Sequence, residues 1–543
     1  MLRLARRLCV PKTETASQAV AYQPRRNFSA TCITRHQQRI TGDDNGLHSG
    51  VVITRNAQKT SIESLIQRID KIKSNAKPTS SDESALLAIL FTPSFAHNAL
   101  DQRLPLQILS RISESPFENS LDVVTAVVDR LPEPNLPSKN GEEGIGYLFL
   151  ENSQACTSKS QKQLNPSAQK PGSIEFELLS KRRTPINHRV QLPLAQTVFS
   201  TGLVSTLIHT RYDCNKATGE MESQGSRRLE SQVFNLPMSI SQDSISLQAP
   251  FMPLTPLRVV RNSMGNIVRM VSSDTTFEGS RPKATLSASQ TASSELEDAV
   301  SAYFKSRDMP PEPVSVWALI LPAKFAWNEV WHQPTQFDGL KTANSAVIRK
   351  LWKPDAEASP ILENLPSELL QLLRRGARFT KVLSGGGGWG KKAGLLSLDP
   401  DEEYNSRNLR DDEGWEFDFS DHSEAGVEKQ QREALGEIVR EGESVMFFLA
   451  MKDGAPNTER TDLLDRSTGQ SVVFGAIPST IDVVPSHNQP ETESDEKSLI
   501  THHANFFGAL SEGGMAFNLT TENGQVKTKF DVPYGSIRAR EYQ

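Results

Sequence analysis

Continuous apolar runs alternate with amphipathic segments in the first third of the chain. The runs ALLAILFT from Ala85, LDVVTAVVD from Leu121 and GIGYLFLEN from Gly144 each have the length of a strand. Helical spacing of apolar residues follows Ser61, in SIESLIQRIDKIK, and recurs in NALDQRLPLQILSRIS, which Pro105 interrupts. Buried strands separated by helices are typical of a parallel sheet covered on both faces. This part of the chain therefore predicts an α/β unit.

Alternating and hairpin-like patterns follow in the rest of the chain. SIEFELLS from Ser173 alternates apolar and polar positions, and LRVVRNSMGNIVRMV predicts a hairpin that turns near Gly265. Ser294 and Glu297 have the spacing of a capping box at the start of a helix. VSVWALILPA, SVMFFLAMKD and SVVFGAIPSTIDVV predict further strands, and PSELLQLLRR predicts a helix that ends at Gly376. The predicted fold class is mixed α/β (α+β).

About 500 residues exceed what one hydrophobic core normally organises. We therefore expect two or three layered domains with mixed sheets and long polar insertions. Changes in composition suggest these parts: a basic leader over residues 1–40, an N-terminal α/β domain over 41–260 with a polar insertion at 152–172, a mobile linker over 261–292, a C-terminal α/β domain over 293–484, an acidic linker over 485–498, and a terminal hairpin over 499–543.

The leader has the composition of a mitochondrial transit peptide. Residues 1–40 contain eight Lys and Arg but a single acid, Glu14, and MLRLARRLCV is amphipathic when drawn as a helix. RRNFSATC resembles a matrix-protease site with cleavage before Ser29. A disordered basic tail is the alternative. The prediction is a protein of the mitochondrial matrix.

Removal of the leader changes the net charge from −5 to −12, because residues 1–40 carry +7. An acidic protein is a poor general nucleic-acid coat. The local basic segments Lys181–Arg183 and Arg374–Lys381 leave RNA or the mitochondrial ribosome open as a partner. No apolar run reaches the ~18 residues of a membrane span, so we expect a soluble product without an integral membrane segment.

The segment LSGGGGWGKKAGLLSLDPD is the strongest candidate for a binding site. From Gly385 its letters fit the G-x-x-x-x-G-K phosphate loop, but Lys392 occupies the position of the magnesium-binding hydroxyl. Gly394 and Pro400 leave little room for the helix that such a loop requires, so we expect a tight loop between two strands. The candidate ligand-binding residues are Gly385, Gly386, Gly387, Gly388, Trp389, Gly390, Lys391 and Lys392.

Two interpretations of this loop remain open. Its backbone amides and lysines can form a nest for a phosphate, a carboxylate or another anion. Alternatively it is a wide structural turn whose glycines allow positive φ while Trp389 packs on a neighbouring part of the fold. No catalytic residue and no metal ligand stands out, since the histidines are scattered and only His502 and His503 are adjacent. The cofactor, if any, is unknown.

The order of ALLAILFT, a helix and LDVVTAVVD resembles the N-terminal half of FIST-type sensor domains over about residues 60–260. That family would imply an α/β module that senses a small ligand. The small-residue segment expected after the first helix is missing, so no residue role is carried across. The leader and the long low-complexity insertions resemble those of filamentous-fungal mitochondrial proteins.

These observations lead to three hypotheses of function. The first is a non-catalytic matrix protein that binds a small anionic ligand or a protein partner. The second is an accessory factor in mitochondrial gene expression that docks to RNA or to the ribosome. The third is an enzyme that uses the glycine-rich loop.

Overall fold

The computed structural model describes the parts of the chain given at the end of this paragraph, all within one compact unit, Asp44–Gln543. The leader, the loop 386–393 and the acidic linker 485–498 lie outside them. The described residues are 47–70, 84–112, 120–134, 140–150, 162–163, 171–178, 187–215, 217–238, 240–241, 244–272, 275–278, 281–284, 289–323, 344–353, 359–385, 394–401, 404, 438–451, 469–479, 500–521 and 524–541.

The mixed fold class is confirmed, and strands outweigh helices. The helices are α1 (Ile62–Gln67), a 3₁₀ helix (Pro93–Leu100), α2 (Leu104–Ile112), α3 (Val198–Thr201), α4 (Ala292–Ser306), α5 (Ser345–Leu351) and α6 (Pro360–Arg374).

The strands fall in two groups along the chain. Those before residue 273 are β1 (Leu47–Thr54), β2 (Ala85–Phe91), β3 (Leu121–Val127), β4 (Glu143–Leu150), β5 (Lys162–Gln163), β6 (Ser173–Leu178), β7 (Asn187–Pro193), β8 (Leu207–Cys214), β9 (Met221–Leu236), β10 (Ile245–Gln248), β11 (Phe251–Pro253), β12 (Arg258–Met264) and β13 (Ile267–Ser272). Those after it are β14 (Thr275–Glu278), β15 (Arg281–Ala284), β16 (Ser289–Thr291), β17 (Val316–Leu321), β18 (Arg378–Gly385), β19 (Leu396–Leu398), β20 (Ser444–Ala450), β21 (Ser471–Ala476), β22 (Ile500–Ala504), β23 (Phe506–Ser511), β24 (Met515–Thr521), β25 (Gly524–Phe530) and β26 (Ser536–Arg540).

The largest sheet has 12 strands and the order β22-β1-β4-β2-β3-β8-β9-β6-β7-β24-β25, with β5 beside β9. The apolar runs from Ala85, Leu121 and Gly144 form β2, β3 and β4, as predicted. The predicted parallel sheet is wrong except for the β2–β3 pair, because β4 returns antiparallel and lies between β1 and β2. No helix among the described residues connects β3 to β4, so β4 does not arrive by a crossover.

The two faces of this sheet have different cover. Helices α1, α2 and the 3₁₀ helix contribute Leu65, Phe95 and Ile108 to a core on one face. A larger core on the other face runs from Leu47 to Ala539 and includes residues of every other large sheet. The first and last described strands therefore share one hydrophobic core.

A second sheet closes on itself. Antiparallel pairing runs β20-β12-β13-β19-β18-β17 and returns from β17 to β20. Residues 261–292, expected as a mobile linker, supply strands to this ring and to the β14–β15 hairpin. The Ser/Thr-rich composition that suggested a linker is also compatible with strands, since threonine favours extended backbone. The hairpin turn at Gly265, with φ of 63°, is confirmed.

The C-terminal segment is distributed over two sheets. Residues 499–543 were expected to form one hairpin around Gly513 and Gly514, where the chain does turn. However, β23 pairs with β21 in a four-stranded sheet, whereas β24 pairs with β7 and β25 in the large sheet. The hairpin is thus β24–β25, one strand later than predicted.

Two helices begin earlier than predicted. Thr291 rather than Ser294 caps α4, since its hydroxyl accepts a hydrogen bond of 3.3 Å from the Ser294 amide. Helix α6 starts at Pro360, not near Ser367, and includes Pro366. Proline at the first helical position is favourable because its missing N–H has no partner there. The predicted stop at Gly376, with φ of 95°, is confirmed.

Candidate functional site

The glycine-rich segment sits between two paired strands. Its first residue, Gly385, ends β18 and pairs with Leu396 of β19 in antiparallel register. The element after the segment is therefore a strand, as predicted, and not the helix of a phosphate loop. Gly394 lies in the turn just before β19 with φ of 85°, and a Cβ there would approach the Thr291 side chain. The other candidate residues, Gly386, Gly387, Gly388, Trp389, Gly390, Lys391 and Lys392, lie outside the described residues.

A cleft lies at the base of this hairpin, where β18 of the closed sheet meets β25, the edge strand of the large sheet. It contains about 330 Å³ of space, part of which is open to solvent. Four lysine or arginine side chains and two aspartates contribute to it. The lining residues are Arg378, Phe379, Thr380, Lys381, Asp399, Asp401, Ile438, Lys527, Thr528 and Lys529.

An aromatic cluster holds the two walls of the cleft together. Trp317 of β17 stacks on Phe379 at 5.3 Å between ring centroids and on Phe530 of β25 at 6.1 Å. All three side chains are buried, and the Thr528 hydroxyl donates to the Phe379 carbonyl. Trp317 is thus a core residue. Because these buried rings pack closely against one another, they fix the distance between the two walls of the cleft.

Several charged groups of the cleft are bound within the protein. The Arg378 guanidinium donates to both carboxylate oxygens of Glu443 at 2.5 Å. The Lys529 ammonium lies 3.8 Å from Asp399 and 3.8 Å from Asp531. These groups define the shape of the cleft, and their charges are largely balanced.

Tyr404 lies beside Lys529, one of the residues that line the cleft. Its ring lies 4.8 Å from the Lys529 ammonium, and its hydroxyl donates to the Asp531 carboxylate. Its backbone amide and carbonyl both bond to the Gln191 side chain, at 3.1 and 2.9 Å. Burial, followed by the charge of Asp531, raises the pKa of Tyr404 far above its usual range. The phenol is therefore a fixed neutral donor that orients Asp531 and Lys529.

Two charged side chains of the cleft remain without a partner among the described residues. Lys381, on β18, is partly exposed, and Asp401 is exposed just beyond β19. The Asp399 amide donates to the Lys381 carbonyl at 2.8 Å, which joins the two chain segments at this point. A cation held beside other cations at the rim of a cleft is able to bind a carboxylate or phosphate oxygen.

One of the two basic segments considered for RNA contact lies in the described part of the chain. Lys181–Arg183 lies outside the described residues. In the segment Arg374–Lys381, Arg374 is buried and Arg378 is paired with Glu443. A phosphate backbone is contacted by exposed cations, so Lys381 is the member of this segment most suited to bind an anion.

Two described histidines, His209 and His502, lie within hydrogen-bond distance of carboxylates. His209 lies within β8, and its Nε2 is 2.9 Å from the Asp122 carboxylate on β3. His502 lies between the Asp70 carboxylate, 3.1 Å from Nδ1, and the Tyr147 hydroxyl, 3.0 Å from Nε2. Burial lowers the pKa of His503. None of these three histidines lines the cleft between β18 and β25, and no group of three or more possible metal ligands occurs among the described residues.

Sequence reasoning found one strand of the cleft and missed the other. Lys527 and Lys529 of β25 were missed, and Asp399 and Asp401, which end the quoted glycine-rich segment, were not singled out as candidates. The alternation in QVKTKF places Lys527 and Lys529 on one face of a strand. That pattern is visible in the sequence, but nothing in it indicates that this face lies beside β18.

No helix among the described residues is both long and apolar enough to cross a membrane. Comparisons of the chain with protein-family models, with curated proteins and with solved structures found no match. The resemblance to FIST-type sensor domains therefore stays a prediction.

Proposed function

We propose that this chain is a mitochondrial matrix protein that binds a small ligand with an anionic group in the cleft between β18 and β25. The observation that carries the proposal is Lys381, an ammonium group without a described partner, in a cleft that three further cationic side chains also line. The cleft is shallow and partly open to solvent, so a ligand would contact it mainly through its charged group.

The matrix location rests on the leader. Its eight basic residues against one acid, and its amphipathic start, are what an import receptor recognises. The ligand-binding role rests on the cleft alone and does not depend on the location. The glycine-rich segment, with Lys391 and Lys392, continues from the same hairpin, and its contribution to binding remains part of the proposal.

Thermal denaturation of the purified full chain tests the proposal. The probes are phosphate, pyrophosphate, acetate, succinate and glutarate at matched ionic strength. A ligand at 100 times its Kd stabilises the folded state by about 2.7 kcal/mol. We expect at least one probe to raise Tm in wild type, and Lys381→Ala to remove the shift. Lys59→Ala, at an exposed lysine far from the cleft in sequence, should retain it.

Two results would contradict the proposal. One is that no probe shifts Tm, or that the shift survives in Lys381→Ala. The other is magnesium-dependent ATP hydrolysis that is lost in Lys391→Ala, which would favour the enzyme hypothesis.

A further inference from the structure

The cleft contains unpaired charges of both signs. Lys381 has no ion pair or hydrogen bond from its side chain to another described residue, and neither does the Asp401 carboxylate. The remaining acid of the lining, Asp399, is bound to Lys529. A ligand that is only an anion would neutralise Lys381 but would lie beside the uncompensated carboxylate of Asp401.

Backbone hydrogen bonds hold the two unpaired residues in place. The Asp399 amide bonds to the Lys381 carbonyl at 2.8 Å, and the Thr380 hydroxyl bonds to the Asp399 carbonyl at 2.9 Å. The Asp401 amide then donates to the Asp399 carboxylate at 3.0 Å. The cation and the anion therefore belong to two adjacent segments that are bonded to each other.

Such an arrangement complements a small molecule with its own two charges. We propose that the ligand is a zwitterion of the amino-acid class, whose carboxylate binds Lys381 and whose ammonium group binds Asp401. This inference rests on the proposed function, since it concerns the same cleft. Each ligand charge would then have an opposite charge in the protein, and charge-assisted hydrogen bonds of this kind are stronger than neutral ones.

Matched pairs of probes isolate the contribution of the ammonium group. Acetate and glycine, succinate and aspartate, and glutarate and glutamate each differ by one amino group. The measurement is titration calorimetry with the full chain, supported by Tm shifts at matched ionic strength. We expect the amino member of at least one pair to bind at least ten times more tightly than its partner.

Two variants assign the charges. Asp401→Asn should abolish the preference for the amino member and leave binding of the plain acid unchanged or stronger. Lys381→Gln should weaken both members. Asp401 is exposed and Lys381 is partly exposed, so the unliganded variants should match wild type in Tm. Asp298→Asn, an exposed carboxylate on α4, serves as the matched control and should keep the preference.

The outcomes separate this inference from the function on which it rests. If plain acids bind as tightly as their amino counterparts, or if Asp401→Asn keeps the preference, the zwitterion is refuted while anion binding stands. If no member of any pair binds, the proposed function itself fails.

Discussion

At the scale of single residues, Asp129, which lies just beyond β3, is a largely buried carboxyl group with a raised pKa. It accepts a hydrogen bond of 2.8 Å from the Glu512 amide. Burial raises its pKa from 3.8 to about 6, and the Glu512 charge adds to this, whereas the amide bond and Arg130 oppose it. The folded state therefore favours the protonated carboxyl. The protonated Asp129 carboxyl adds to the free energy of unfolding. This contribution is fully present below about pH 4 and is lost as pH rises through about 6.

Asp129→Asn should stabilise the protein at neutral pH. A shift of about two pKa units corresponds to roughly 3 kcal/mol at most, and we expect about 1–2 kcal/mol at pH 7.5 because an amide loses the charge-assisted bond. At pH 4 the difference should vanish. Denaturant unfolding at both pH values checks this, with Asp298→Asn as the exposed control. A variant less stable than wild type at pH 7.5 would show that the buried charge is favourable.

Only part of the candidate site is visible in single residues of the sequence. Lys381 belongs to a basic segment that is recognisable in the sequence, and Gly385 to the glycine-rich loop that follows it. Asp401 belongs to an acidic stretch with no distinguishing neighbour. Asp401 lines the same cleft as Lys381 because the backbone amide of Asp399 bonds to the Lys381 carbonyl. These two residues are 18 positions apart, and the register of the hairpin brings them together.

At the scale of secondary-structure elements, the first residue of helix α4 differs from the one that the local capping pattern predicts. The capping-box spacing of Ser294 and Glu297 predicts that Ser294 caps this helix. In the structure the strand β16 ends at Thr291, and Thr291 has the extended backbone of an N-cap, with φ of −71° and ψ of 139°. The helix begins where the strand ends, so pairing of β16 with β13 selects the cap.

Thr291→Ala should destabilise the fold by about 1 kcal/mol, because loss of an N-cap leaves a backbone amide without its acceptor. Ser294→Ala should cost less, since the Ser294 hydroxyl accepts only from Thr291. Urea unfolding of the two variants side by side gives the comparison. A larger loss for Ser294→Ala would restore the capping box as the start of the helix.

At the scale of the whole molecule, the C-terminal strands complete sheets that begin near the N-terminus. Strand β22 pairs with β1, β24 with β7, and β26 with both β10 and β21. Ring contacts within the core likewise join distant segments, as between Phe176 and Phe474 at 4.3 Å. The final segment is therefore integral to the core.

Deletion of residues 499–543 should abolish cooperative unfolding. It would remove β22–β26 and expose the edges of β1, β7 and β21, together with the core side chains Phe176 and Phe474, which pack on Phe507 in the intact chain. Calorimetry and near-UV circular dichroism measure the loss. Deletion of residues 542–543 alone is the control and should leave Tm unchanged. A cooperative transition in the longer deletion would show that 499–543 is a dispensable appendage.

Import into mitochondria tests the location. Because Arg3, Arg6 and Arg7 form the basic face of the predicted amphipathic leader, changing all three to Glu should leave the full chain outside the organelle. Wild type should be imported and processed near Ser29. Protease protection of the labelled chain in isolated mitochondria gives the readout, and equal import of the triple variant would contradict the prediction.

The sequence by itself determined where most strands lie and the mixed fold class. Apolar runs such as those of β2, β3, β17 and β20 predict strands because burial of both faces requires continuous apolar side chains. The turns at Gly265 and Gly376 follow from the freedom of glycine at positive φ. These are local properties, and each depends on residues within about one element.

The tertiary structure alone decided which strands pair and what lies between them. The antiparallel return of β4, the closure of the β17–β20 ring and the position of β25 beside β18 are set by packing between segments far apart in the chain. Apolar burial is non-directional, so a strand's own pattern does not name its partner. The cleft exists only where two such partners meet, and Lys381 and Asp401 are brought into it by that packing.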